Sequence, residues 1–308
     1  YIHEHKLFDT KSKILLAISG GIDSVCLADL LIRSGYNVEF AHCNFKLREK
    51  ESDQDEIFVS DLANKNKIPF HHISFDTNHY ALSNKLSIQM AARELRYEWF
   101  EKVRREISAD YIAIAHNQND NIETFFINLI NGTGLKGLRA IQNKNNFIVR
   151  PLMFASRNQI GEYVKSKSLD FREDSSNKSE KYQRNKVRHD LIPLLKQINP
   201  SIENTIADEI EIIKNTYSIF KEQVDRVVKE ISCQTDVGIK ISKNKLIKLE
   251  PIDTYLYEIL NVFGFTDIKS IKNSILSNPG KQFFSKSRQY NALYDFIRIK
   301  QADYAILK

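Results

Sequence analysis

The sequence predicts an α/β chain: a doubly wound parallel sheet, followed by a long helix and a small α+β domain. Residues 14–18 are a short, wholly apolar run, the pattern of a strand buried on both faces of a parallel sheet. Similar runs recur downstream and alternate with segments of helical apolar spacing, which is how βαβ units read. After Asn199-Pro200-Ser201 the alternation stops, and Ile206, Ile210, Ile213, Tyr217, Phe220, Val224, Val227 and Ile231 follow in a 4-3-4-3 spacing. These changes of character place the expected boundaries at 1–199, 200–232 and 233–308.

In the first βα unit, Ser19-Gly20-Gly21-Ile22-Asp23-Ser24 joins the opening strand to a helix that should stop at Ser34-Gly35. Two glycines let backbone N–H groups point inward, and the helix adds its positive N-terminus, so the turn suits a phosphate or pyrophosphate. Asp23 stands where a Mg²⁺ on those phosphates would be reached. No Lys follows the second Gly, which excludes a Walker loop, and the third glycine of a dinucleotide fingerprint is missing.

A second strand covers residues 37–42, and a helix capped by Ser52 or Asp53 runs to about 65. Pro69-Phe70-His71-His72-Ile73 is a third strand; its adjacent histidines face opposite ways and read as structural. A long helix over about 87–107 carries Arg93 and Arg96 three residues apart, either a solvated face or a source of positive charge for a phosphate. Tyr111-Ile112-Ala113-Ile114-Ala115 is the next buried strand, so His42, His116 and the glycine turn all fall at carboxyl ends of strands.

The following helix sets Asp120 and Glu123 on one face, suited to the helix dipole, to Mg²⁺ or to an amino-group cation. Gly132, Gly134 and Gly137 then read as a flexible connector or a backbone surface for a nucleotide. A strand ends at Arg150-Pro151-Leu152, and a helix over about 159–166 follows. Asp174-Ser175-Ser176-Asn177 with Arg184, Asn185 and Arg188 suits RNA backbone, ATP phosphates or a solvated loop equally. The long helix over 200–232 reads as a spacer, with dimerisation the lesser option. Beyond it, residues 256–263 look helical, Asn278-Pro279-Gly280 is a turn, and 281–300 reads as strands in which aromatics interleave with Lys286, Arg288, Arg298 and Lys300.

Composition narrows the partners. Hydrophobic residues are 42% and charged residues 27% of the 308, an ordinary globular balance with no membrane-length apolar run and no visible leader peptide. Three scattered cysteines, Cys26, Cys43 and Cys233, build neither a disulfide framework nor a zinc site, and a cytoplasmic location is expected. Residues 233–308 hold 12 Lys and Arg against 7 Asp and Glu, so most of the chain's net +6 sits there. Nucleic acid and lysine-rich solvated surface are the two readings of that excess.

The Ser-Gly-Gly-x-Asp-Ser turn after a strand resembles the loop of the N-type ATP pyrophosphatases. With Leu47-Arg48 and Glu51-Ser52-Asp53, Ala92-Arg93 and Arg96-Tyr97, His116 with Asp120 and Glu123-Thr124, Gly132-Thr133-Gly134-Leu135, Arg150-Pro151-Leu152, and Asp174-Ser175 with Asn177, Arg184-Asn185 and Arg188, the chain resembles the tRNA(Ile)-lysidine synthases over about 12–198. Asn119 departs from the pattern, which often has a second Asp there. Many members carry a further C-terminal domain, so a short form or a trimmed piece is expected, in keeping with Tyr1 at the start.

That resemblance implies ATP and Mg²⁺ as cofactors, free L-lysine and a tRNA(Ile) with a CAU anticodon as partners, no membrane, and a monomer or homodimer. It implies adenylation of the C2 oxygen of the wobble cytidine, then attack of the lysine amine. In site terms it implies Ser19, Gly20, Gly21, Ile22, Asp23, Ser24 and His42 for ATP, with Asp23 also holding Mg²⁺. Asp23, Arg93 and Arg188 would be catalytic, Asp120 and Glu123 would hold lysine, and Gly132, Gly134, Arg184, Lys286 and Arg288 would meet tRNA. Two alternatives stand beside it: a related tRNA thiolase, against which the absence of any C-x-x-C counts, and a non-catalytic RNA-binding protein.

Overall fold

A computed structural model describes residues 1–48, 50–172, 183–235, 238–265, 267–277, 282–284, 296–299 and 304–307. They fall into two compact units, Tyr1–Ile213 and Lys214–Lys308.

The first unit begins β1 (Lys13–Ala17), α1 (Ile22–Arg33), β2 (Asn37–Asn44), α2 (Lys50–Asn66), β3 (Phe70–Ser74), α3 (Thr77–Asn84) and α4 (Ile88–Glu106). It continues with β4 (Tyr111–Ile114), α5 (Gln118–Ile130), α6 (Gly134–Leu138), β5 (Lys144–Asn145), β6 (Ile148–Val149) and α7 (Arg157–Ser166). α8 (Gln183–Lys186), a π-helical turn at Val187–Leu191, α9 (Ile192–Ile198) and the start of α10 (Ile202–Ile231) complete it. The sheet order is β3-β2-β1-β4-β6-β5, parallel throughout except for the β5–β6 pair. β1 pairs with β2 on one side (Ala17 opposite Ala41) and with β4 on the other (Ala17 opposite Ile114). Ile14, Leu15 and Leu16 are fully buried, as an apolar run covered on both faces requires. The chain winds first toward β2 and later returns to β4, so the switch point lies at the carboxyl ends of β1 and β4, where such sheets open a crevice.

Three expectations change. α2 starts at Lys50, because the Ser52 hydroxyl accepts the Arg48 N–H at 3.2 Å rather than capping the helix. Cys43 lies inside β2, not after it, because pairing with β3 extends the strand through Asn44. The glycine-rich connector contains the short helix α6, with Gly132 and Gly134 at φ of +65° and +66° and both exposed. His71 and His72 part as expected, to Glu39 at 2.7 Å and Glu56 at 2.6 Å.

The second unit holds the rest of α10, then β7 (Ser232–Thr235), β8 (Gly238–Ser242), α11 (Lys243–Leu246), α12 (Ile252–Asn261), α13 (Ile268–Ser277), β9 (Gln282–Phe284), β10 (Phe296–Ile299) and β11 (Tyr304–Leu307). Its sheet is antiparallel, in the order β7-β8-β11-β10-β9. The apolar stripe of α10 is buried at seven-residue intervals, Ile210, Tyr217, Val224 and Ile231. Ile206, Ile210 and Ile213 pack with Ile122, Phe125 and Val187, whereas Val227, Val228 and Ile231 pack with Leu256 and Ile259. The Asp174–Asn177 turn, the Asn278–Gly280 turn, Lys286 and Arg288 lie outside the described residues.

Candidate active site

A cleft of about 280 Å³ opens at that switch point, lined by Ser19, Gly21, Asp23, Ser24, His42, Cys43, Phe45, Arg96, Tyr97, Phe100, His116 and Asp120 with the backbone ends of β1 and β4. Its floor is the glycine turn. Gly20 sits at φ +88°, and a Cβ there would meet the Phe58 ring at 3.2 Å, so this position requires glycine. The Ser24 hydroxyl donates to the Gly21 carbonyl at 2.9 Å and lies 3.2 Å from the Ser19 hydroxyl, which ties the turn to the first turn of α1. Gly21 is the N-cap with no side chain to satisfy the helix, which leaves the N-terminal amides for an anion.

Asp23 enters the cleft from α1 at a cost. Its Oδ1 is buried without a hydrogen-bond partner among the described residues, and the buried Asn117 Nδ2 is likewise unpaired. Burial and then the charge of Asp120 push the Asp23 pKa up, against the pull of Arg157, Asn117 and Arg188. Asn117 is near enough to exert that pull, yet no well-formed hydrogen bond joins the two. An orphaned buried carboxylate oxygen beside a second carboxylate is a donor set that fits a hard cation such as Mg²⁺.

The opposite kind of charge also lines the cleft. Arg96, on α4, stacks over the Phe45 ring at 5.0 Å. Arg150, buried at the end of β6, donates to His116 Nδ1 at 3.0 Å and to the Gln142 carbonyl at 2.7 Å. Among the described residues no carboxylate pairs with either guanidinium, and burial lowers both pKa values. Half-buried Arg96 and buried Arg150 thus keep their charge free of an acidic partner, an arrangement that suits an anion. Arg93 is exposed and stacks on Tyr97 at 4.7 Å; it does not line the cleft, although its charge reaches His116 and Arg150.

A third group lies beside the cleft. Glu123 is fully buried and receives both arms of Arg188, at 2.7 and 3.0 Å, with Arg184 at 3.6 Å and Arg157 at 3.7 Å. Asp120 closes a capping box with Asn117 and keeps Oδ1 toward Arg157 at 3.7 Å and Arg188 at 4.0 Å. The two carboxylates therefore differ in what they leave open: Glu123 is taken up by arginine, and Asp120 faces the cleft. Asn119 donates to Glu203 at 2.7 Å and accepts the Arg157 N–H at 2.9 Å, so an Asp at this position would meet Glu203 as a like charge.

Most of the ATP set gathers in one place: Ser19, Gly21, Asp23, Ser24 and His42, joined by Asp120, line the cleft. Gly20 and Ile22 stand in the same turn without lining it, and Arg188 and Arg184 reach it through Glu123. Gly132 and Gly134 do not line it. Sequence reasoning singled out Arg96, Tyr97, Arg150 and His116 without giving them a role in the site, and it missed Arg157 and the part of Asn117. A charged residue ending a buried strand was an available signal for Arg150; Arg157, following the Ser156 cap, reads as surface and gave none.

The family model described as PP-loop domain matches residues 2–195, and one described as TilS substrate binding domain matches 234–291. The tRNA(Ile)-lysidine synthase of Bacteroides thetaiotaomicron is 43% identical over 288 residues, covering 93% of this chain and 67% of that one. That of Parabacteroides distasonis is 40% identical over 301 residues, 97% of this chain and 68% of its own. The U34-tRNA thiolase NcsA from Methanococcus maripaludis superposes with a TM-score of 0.55 at 20% identity, over 69% of this chain and 78% of its own, a likeness of fold alone. The chain spans about two thirds of the length of those two synthases, and by the domain match and these identities it belongs to the tRNA(Ile)-lysidine synthase family of PP-loop proteins.

Proposed function

We propose that this chain joins free lysine to C2 of the wobble cytidine of a tRNA(Ile) with a CAU anticodon, using ATP and releasing AMP and pyrophosphate. The observation that carries this reading is a glycine turn opening a cleft lined by half-buried Arg96, with buried Arg150 held against the lining His116, and neither guanidinium paired with a carboxylate among the described residues. Such a cleft favours a polyphosphate over any neutral ligand.

In this reading the amides of the glycine turn and the N-terminus of α1 hold the β- and γ-phosphates, and Arg96 meets charge at the α-phosphate. The C2 oxygen of cytidine attacks the α-phosphorus, the α–β bridge breaks, and pyrophosphate leaves. The lysine amine then adds at C2, AMP departs with that oxygen, and a proton from the amine is shed. Asp23 would hold Mg²⁺, which would supply charge neutralisation for the leaving group. Asp120 takes the lysine ammonium in preference to Glu123, whose role becomes holding Arg188 in place. Arg93, exposed above Tyr97, meets substrate from the rim, with Arg184. The basic second unit, with Lys286 and Arg288, and the exposed Gly132–Gly134 segment meet tRNA backbone. Monomer and homodimer both accommodate this scheme, since every group named here comes from one chain.

The test is incorporation of labelled lysine into transcribed tRNA(Ile) with a CAU anticodon, with ATP and Mg²⁺ present. Incorporation that disappears when the wobble cytidine becomes uridine is the expected result. AMP release without lysine transfer would leave adenylation standing and overturn the choice of nucleophile.

A further inference from the structure

Arg150 and His116 make a contact whose chemistry has one solution. A guanidinium carries only N–H donors and stays protonated, so the His116 Nδ1 that receives Arg150 Nε–H at 3.0 Å must be unprotonated. The ring's single proton is then on Nε2, and His116 lines the cleft. His42 is the opposite case in the same cleft: its Nδ1 faces the Ile18 carbonyl at 2.9 Å, which only accepts, so Nδ1 bears the proton and Nε2 the lone pair. Burial, aided by Arg150 and opposed by Asp120, holds the His116 pKa down to about 4, which keeps the ring neutral alongside the tautomer argument.

We propose that Arg150 is a positioning residue that locks His116 in its Nε2–H tautomer, so that His116 donates a hydrogen bond to a phosphate oxygen of the nucleotide in this cleft. The inference rests on the reading of the cleft as the ATP site. The ionised phosphate oxygens present at pH 7.5 only accept, so the His116 tautomer, not the His42 one, serves them. Arg150 itself is anchored by the Gln142 carbonyl and by its buried position. It therefore sets the tautomer without having to touch the nucleotide.

Two measurements on the full chain test this. In protein labelled with ¹⁵N in its histidine rings, long-range ¹H–¹⁵N correlation at pH 7.5 reads the tautomer, and His116→Asn identifies the signal by its loss. Wild type should show unprotonated Nδ1 with protonated Nε2, Arg150→Lys should keep that pattern, and Arg150→Met should mix or reverse it. ATP binding by calorimetry supplies the second readout. Gln places an amide donor near the Nε2 position of histidine and Asn places one near Nδ1, so His116→Gln should hold ATP within about threefold and His116→Asn should lose about tenfold or more. Because Arg150→Met removes a buried anchor and can unfold the chain, the Gln and Asn pair carries the decision in that case. A proton on Nδ1 in wild type, or Asn binding as well as Gln, would overturn the proposal. Wild type that binds no ATP would sink the nucleotide reading and the phosphate half with it, while the spectrum would still decide what Arg150 does to His116.

Discussion

Asp23→Asn is expected to make the protein more stable and inactive at once. The Asp23 Oδ1 is buried with no partner, and burial with Asp120 raises its pKa, so the folded state pays to keep this carboxylate charged. A buried polar group left unsatisfied costs about 1–3 kcal/mol. The amide of Asn still needs a partner, so about half of that, on the order of 1 kcal/mol, should be recovered. In a unit the size of Tyr1–Ile213 this corresponds to a rise in melting temperature of about 2–4 °C. The effect must depend on pH in a definite sense. With the folded pKa above the unfolded value of about 3.9, the native state binds the proton first as pH falls, so the wild type gains stability on acidification through that window. The advantage of the variant is therefore full at neutral pH and vanishes once both native and unfolded Asp23 are protonated. Melting both proteins without nucleotide at pH 7.5 and pH 5, together with AMP release in the presence of tRNA, measures both sides. A variant less stable than wild type at pH 7.5, or one that still adenylates, would refute the reasoning.

Arg188→Met removes the bidentate partner of the fully buried Glu123; with Arg157 and Arg184 still at 3.7 and 3.6 Å, the loss should fall at the low end for a broken buried pair, about 3 kcal/mol in urea unfolding, and a loss below about 1 would contradict it. Gly20→Ala places a Cβ 3.2 Å from Phe58 at φ +88°, so about 1–3 kcal/mol of destabilisation and weaker ATP binding are expected, and unchanged urea midpoints would speak against it. Burial pushes the thiols of Cys26 and Cys43 up to about 12, whereas Cys233 is exposed, so a thiol reagent at pH 8 should label Cys233 rapidly, Cys43 in the cleft much more slowly, and Cys26 only on unfolding. Charge reversal at Lys286 and Arg288 together should weaken tRNA binding and flatten its dependence on log salt by about one or two units, and an unaltered slope would remove these residues from the interface.

The sheet was readable because its strands carry their own signal. Ile14, Leu15 and Leu16 could be apolar without interruption only if both faces were covered, and Ser34-Gly35 announced the end of α1. The glycine turn between β1 and α1 was equally plain as a turn, since a Ser-Gly-Gly stretch between an apolar strand and a helical run marks a sharp connection. Chemistry assembled from distant segments was less plain. Arg150 and His116 are 34 residues apart and meet only because β4 and β6 are neighbours. Arg93 and Arg96 look alike in sequence, and small differences of helix phase put one over Tyr97 at the surface and the other over Phe45 in the cleft. Asn119 reads as a lost carboxylate until Glu203, 84 residues on, is seen as its partner.

At the cleft, unpaired charges of both signs stand without cancelling each other. Asp23 lacks a donor, and Arg96 and Arg150 lack a carboxylate, although both signs line or adjoin the same 280 Å³. Free side chains would collapse into ion pairs and leave nothing for a ligand. Here each is fixed from a different element: Asp23 in the first turn of α1, Arg96 against Phe45 on α4, and Arg150 between His116 and Gln142 at the end of β6. Side chains anchored in this way cannot relax toward one another, so the folded state carries the desolvation cost before any ligand arrives. A polyphosphate with its counter-cation satisfies both signs together, and no reorganisation is then required when charge shifts in the reaction. This is also why removing one charge, as in Asp23→Asn, should stabilise the unliganded fold and abolish its chemistry.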